Sequence, residues 1–161
     1  LTDELSLKNL VEDVKPQGIF HLGATTIMSG VIAEPDKVET VNFEGTKNLV
    51  KSLENIHYDF FINTSTYSEN SSDDYAKSKR KATDFCTLYA KENKKPIITL
   101  RIFTPYGPYI QKGRLIFQVL TKSMRNENIE MSSPDTMRDF IYIDDLIDLY
   151  ITLSNRAREN A

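Results

Sequence analysis

Helix-period stretches alternate along this chain with short, continuously apolar runs, and that alternation leaves few folds open. Leu7, Leu10, Val11 and Val14 are spaced for one helical face, with Thr2 or Asp3 to cap the segment and Pro16 and Gly18 to end it. Gly18 to Ala24 reads as a buried strand running into a glycine turn. A helix follows Pro35, with Val38, Val41, Leu49 and Leu53 inward and Gly45 permitting close packing. Residues 58–65 form the next strand, led by Phe60-Phe61-Ile62. A long helix spans 74–93, with Tyr75, Lys79, Ala82, Cys86 and Tyr89 down one side. Residues 96–103 read as a strand and 114–125 as a helix. A short strand near Ile129, an extended segment from Asp139 to Ile143 and a helix opening at Asp144-Asp145 close the chain.

Strands apolar at every position, separated by helices, indicate an α/β fold: a doubly wound parallel sheet covered by helices on both faces. Ligands of such sheets bind beyond the carboxyl ends of the strands. That rule selects Gly23-Ala24, Thr64-Ser65-Thr66 and Phe103-Thr104. The stretch from Ser68 to Asp73 gathers turn formers and reads as disorder-prone.

The net charge of -3 gives no basic footprint for nucleic acid. Cys86 is the only cysteine, which excludes a disulfide framework and a thiolate metal site and fits a reducing cytoplasm. His21 and His57 are far apart and suggest no metal cluster; His21 reads as a satisfied strand histidine. No apolar run approaches the roughly 18 residues that span a membrane.

Tyr75 and Lys79 stand four residues apart, on one helical face. A phenol with a pKa of roughly 10 is a poor acid or base at neutral pH, and a fixed positive charge nearby lowers it. Thr66, ending the preceding strand, offers a hydroxyl that can hold a substrate oxygen against the tyrosine. The same spacing also arises in ordinary surface pairs, so its setting after a strand that ends in three hydroxyl residues gives it weight.

In that setting the chain resembles the extended short-chain dehydrogenases that act on nucleotide sugars, the epimerase/dehydratase group. The resemblance rests on Phe20-His21-Leu22-Gly23-Ala24, Asn42-Phe43-Glu44-Gly45-Thr46 with Asn48-Leu49, Thr64-Ser65-Thr66, the Tyr75/Lys79 pair, Leu100 to Pro108, and Arg138-Asp139-Phe140 with Asp144-Asp145-Leu146. It covers essentially the whole chain. It implies a Rossmann-like sheet, incomplete at the N-terminus, with residues 1–107 as a partial NAD(P)-binding domain. Residues 108–161 would join the substrate-binding region without folding independently.

By the same resemblance Tyr75 is the general acid/base, Lys79 binds the nicotinamide ribose, and Thr66 orients the reacting oxygen. Leu22, Gly23, Ala24, Thr25, Asn42, Thr64 and Phe103 join Tyr75 and Lys79 around an NAD or NADP cofactor. Thr66, Thr104 and Arg138 meet the nucleotide sugar, and no metal is implied. Plainer readings stand beside some of these. Asn42 can be a polar helix-face residue, Phe103 can be core, and Arg138 can be an ion-pair partner. A homodimer through the Tyr75-bearing helix and a cytoplasmic location follow by analogy.

Three departures qualify the resemblance. The glycines, Gly18, Gly23, Gly30, Gly45, Gly107 and Gly113, lack the spacing that lets a backbone approach a pyrophosphate. Together with the start at Leu1, this suggests a fragment of a longer protein whose sheet centre has an open edge. Tyr75 follows Thr66 by only nine positions, a short gap for this group. Tyr67 and Ser68 stand where sugar 4,6-dehydratases carry Asp and Glu, which disfavours that reaction. The expectation is an NAD(P)-dependent nucleotide-sugar epimerase or 4-keto reductase, with a non-catalytic Rossmann binding or regulatory module as the alternative.

Overall fold

The computed structural model describes residues 1–26, 35–131 and 137–159. Gly30 lies outside them. The chain divides into two compact units, Leu1–Ile102 with Ile151–Ala161, and Phe103–Tyr150.

The first unit holds α1 (Glu4–Val14), β1 (Gly18–His21), α2 (Pro35–Glu39), a π-helical turn (Thr40–Glu44), α3 (Gly45–Ser52), β2 (Phe60–Thr66), a 3₁₀ turn (Tyr67–Asn70), α4 (Asp74–Asn93) and β3 (Ile97–Ile102). Its three strands lie in the order β1-β2-β3, all parallel. The fold is therefore the α/β, parallel-sheet architecture that the alternation predicts. Register places Phe61 between Ile19 and Ile97, and Asn63 between His21 and Thr99.

The side chains of β2 alternate between two covered faces. On one, Phe61 packs with Val11, Val50, Leu53, Tyr58 and Cys86, so α1, α3 and α4 share a core. On the other, Phe60 and Ile62 are fully buried. The Phe60 ring lies 5.0 Å from that of Phe20 and 5.5 Å from the guanidinium of Arg158. A Cβ on Gly18 would stand 2.3 Å from the Phe60 ring, so this position on β1 needs glycine.

Asp3 caps α1 by accepting the Ser6 amide at 3.0 Å. Only Leu7 and Val11 of that helix are buried. Leu10 and Val14, expected inward, stay 57% and 60% exposed, because the stripe that α3 covers is narrower than the apolar pattern. The Ser68–Asp73 stretch, read from sequence as disorder-prone, is ordered by the 3₁₀ turn and by the Asp73 cap on α4.

The second unit pairs β4 (Thr104–Tyr106) with β5 (Phe140–Tyr142) in parallel and adds α5 (Leu115–Met124). Gly107 combines a φ of 154° with a Cβ direction that ends 2.4 Å from Ile143. Among the described residues no strand forms near Ile129: residues 126–131 are exposed and belong to no ladder. Helix α6 (Ile143–Glu159) runs from this unit into the first. Asp144 and Asp145 occupy its first turn rather than its cap, and Arg156 and Arg158 its last, each favourable to the helix dipole. Among the described residues no helix is long and apolar enough to cross a membrane.

Tyr58 is buried, and its hydroxyl has no hydrogen-bond partner among the described residues. Burial pushes its pKa up, as a desolvated, unpaired phenol requires. Removing an unsatisfied polar atom relieves its desolvation cost. Tyr58→Phe is therefore expected to leave stability unchanged or raise it by up to about 1 kcal/mol. Urea unfolding checks this, and a clear loss of stability would show that the hydroxyl has a partner.

Candidate active site

The candidate site gathers at the carboxyl ends of β1 and β2 and the start of α4. Beyond His21 the chain leaves β1, with Leu22, Gly23 and Ala24 exposed and Thr25 half-buried. Asn42 fixes this loop. Its Oδ1 accepts the Thr25 amide at 2.7 Å, and its Nδ2 donates to the Thr25 carbonyl at 2.9 Å. The same Nδ2 reaches Ser78 Oγ on α4 at 3.1 Å. Ser78 in turn donates to the Tyr75 carbonyl at 2.7 Å. Asn42 is thus a fully buried clamp between the β1 loop and the helix of Tyr75 and Lys79.

His21 is buried, with Nε2 2.7 Å from Thr46 Oγ1. Thr46 places its single hydroxyl proton on the Asn42 carbonyl at 2.6 Å. Its oxygen must therefore accept from His21, which assigns the neutral tautomer with hydrogen on Nε2. Burial, then the charge of nearby Lys79, lowers the His21 pKa to about 4. His21 is a satisfied structural histidine, as its place in the strand suggests.

At the end of β2, Thr64 is half-buried and Ser65 and Thr66 are buried. Thr66 caps the 3₁₀ turn: its Oγ1 accepts the Ser68 amide at 3.3 Å. The same Oγ1 lies 3.1 Å from Ser68 Oγ, where either hydroxyl can be the donor. Inside the turn, Glu69 is buried, with Oε1 accepting from Ser65 and Thr83 and Oε2 from Arg101 Nε at 2.6 Å. Burial would raise the pKa of Glu69, but the hydrogen bonds from Ser65, Thr83 and Arg101 outweigh it and hold the carboxyl below its usual range.

Asp73 caps α4 by accepting the Ala76 amide at 2.9 Å, which sets Tyr75, half-buried, in the first turn of the helix. Lys79 follows one turn later at 3% exposure. Its ammonium has no hydrogen-bond or ion-pair partner among the described residues, and burial lowers its pKa. Phe103, Thr104 and Arg138 belong to the second unit. Phe103 is 47% exposed there. Thr104 begins β4 and donates its amide to the Asp139 carbonyl at 3.1 Å, beside exposed Arg138. No group of three metal-ligating side chains is found among the described residues.

Sequence reasoning missed Glu69, Ser78 and Thr83. Ser78 carried a faint signal, lying between Tyr75 and Lys79 on the same helix. Glu69 carried none, since a glutamate among serines and asparagines has the composition of a solvated turn.

The chain matches the model of the NAD dependent epimerase/dehydratase family along residues 1–161, and it belongs to that family. It is 27% identical to a probable UDP-glucuronate 4-epimerase of Rhizobium meliloti (strain 1021) over 173 positions, 96% of this chain and 50% of that one. It is 34% identical to the CDP-abequose synthase of Salmonella muenchen over 80 residues, 49% of this chain and 27% of the relative. The crystal structure of UDP-glucuronic acid 4-epimerase from Bacillus cereus, in complex with UDP-glucuronic acid and NAD, is similar with a TM-score of 0.73 and 25% identity, covering 92% of this chain and 52% of that one. The chain thus spans about half the length of the two epimerases.

The depressed pKa of His21 has a thermodynamic consequence. Unfolded, the imidazole binds a proton below its ordinary value of 6.5; folded, it does so only near 4. Stability therefore falls as pH drops through that window, by about 2 kcal/mol between pH 7 and 5. His21→Gln, titrated by urea unfolding at each pH, should flatten that slope. An unchanged slope would mean that His21 titrates normally in the folded state.

Proposed function

We propose that this chain supplies the acid/base part of an NAD(P)-dependent enzyme that epimerises or 4-keto-reduces a nucleotide sugar. The observation that carries the reading is the Lys79 side chain, 3% exposed and without a hydrogen-bond or ion-pair partner among the described residues, one helical turn beyond Tyr75. A buried cation without an acceptor is costly, so such a position is retained for an acceptor brought by a ligand. A ribose hydroxyl fits that need. The residues present thus suit the nicotinamide-ribose end of a dinucleotide, while the glycine spacing for its pyrophosphate does not occur in these 161 residues.

A nicotinamide cofactor supplies, when bound, the two-electron chemistry at a sugar carbon. The chain's own residues handle protons and orientation. Tyr75 moves a proton between its Oη and the reacting sugar oxygen. The Lys79 charge and the amino-terminal end of α4 both favour the negative charge that develops on Tyr75 Oη. Thr66 can turn its hydroxyl proton to the same sugar oxygen, away from Ser68 Oγ, and orient it. Asn42 holds the Leu22–Thr25 loop against α4, so that loop can line the cofactor. Thr64 completes that wall; the roles of Phe103 at the nicotinamide and of Thr104 and Arg138 at the sugar diphosphate rest on the family resemblance alone.

Tyr67 and Ser68 follow Thr66 directly and provide no carboxylate pair for eliminating water, which supports epimerisation or reduction over 4,6-dehydration. The UDP-glucuronate 4-epimerases that resemble the chain support a UDP-sugar substrate, and NAD in the Bacillus cereus structure supports the cofactor class.

The test is turnover of several nucleotide sugars with NAD and with NADP by the intact protein. Tyr75→Phe should lower kcat by about 10²- to 10⁴-fold with the fold intact. Equal turnover in the two proteins would end the proposal.

A further inference from the structure

Glu69 is the buried carboxylate that the chemistry above does not use. It sits in the turn that Thr66 caps, and its three partners come from three elements: Ser65 at the end of β2, Thr83 on α4, and Arg101 at the end of β3. All three are donors. Thr83 also lies 3.1 Å from Ser65 Oγ, but a hydroxyl has one proton, and the shorter contact gives it to Glu69. Every bond therefore needs an acceptor-only carboxylate at the centre. Ser65 immediately precedes Thr66, and Thr83 lies one helical turn beyond Lys79.

We infer that Glu69 is a positioning residue: its carboxylate clamps the Thr66 turn onto the helix of Tyr75 and Lys79 and so sets how the hydroxyl, phenol and ammonium face one another. The inference rests on the proposed function. It also accounts for the short connection of nine positions between Thr66 and Tyr75, which has too little chain to build a separate supporting loop. Among the described residues the charged and titratable groups around Lys79 include Tyr75 one turn earlier on α4, His21 from β1, neutral near pH 7, Cys86 from α4, and Glu69, which favours the ammonium.

Glu69→Gln keeps the shape but turns one acceptor into a donor facing a donor. Thr83→Val removes one clamp hydroxyl, and Thr83→Ser restores it. In the cofactor-free protein, Glu69→Gln should speed amide hydrogen exchange across Tyr67–Asn70 and move the NMR titration of the Lys79 ammonium to lower pH. Thr83→Val should speed exchange in the same turn. In turnover, both should lose up to about a hundredfold in kcat, because misplacing catalytic groups by an ångström costs that much. KM should stay within about threefold, and Thr83→Ser should behave as wild type. If Glu69→Gln does not fold, Thr83→Val and its serine rescue decide the matter. Folded variants with wild-type exchange in the turn overturn the inference. A purely structural clamp would lower the melting temperature and leave the Lys79 titration and kcat in place, which also overturns it. The exchange and titration readings need no turnover, so a failure of the Tyr75 chemistry is separable from a failure of the Glu69 clamp.

Discussion

Strand β2 is paired on both edges and covered on both faces, and the rest of the first unit is arranged around that burial. Its leading half, Phe60-Phe61-Ile62, satisfies the constraint by being apolar. Its trailing half, Asn63-Thr64-Ser65-Thr66, brings polar groups into the same enclosed layer, where each needs a partner. Asn63 donates to Thr99 Oγ1 at 3.3 Å on the neighbouring strand, and its Oδ1 finds no partner among the described residues. Ser65 is taken by Glu69, and Thr66 turns the strand into the 3₁₀ turn. The candidate site is thus the place where one strand passes from apolar to polar while still inside the fold.

The charges around that place are mutually consistent. Lys79 brings a positive charge into low-polarity surroundings, and His21, close enough to feel it, stays neutral rather than adding a second. The opposite charge comes from Glu69, which three donors hold ionised against the burial that favours its neutral form. Near neutral pH Glu69 is therefore ionised, with Arg101 on its outer oxygen, and His21 is neutral.

The alternation of apolar runs and helical periods was enough to read the sheet and its parallel sense. Tyr75 and Lys79 were legible because helix geometry turns a spacing of four into adjacency. Glu69 was not, because its partners lie 4, 14 and 32 residues away and only the closed sheet brings them together. Leu10 and Val14 misled in the opposite direction: periodicity reports which face is apolar, not how much of it a neighbour covers. Among the described residues no strand forms at Ile129; strand formation depends on a partner edge, a condition that no local pattern records.

The π-helical turn at Thr40–Glu44 bears on how this segment can change over evolution. The Gly45 amide bonds to the Thr40 carbonyl, so the helix carries one more residue in that turn than an α-helix allows. Deleting a single residue there would restore regular winding. It would also rotate α2 by about 100° relative to α3. Val38 would leave the core, and Asn42 would lose Thr25 and Ser78 together. The outward side chains of the turn can be exchanged, but Asn42 and the length of the turn cannot, so homologues should vary in residue type at Thr40 and Glu44 while keeping the residue count between Val38 and Thr46 fixed.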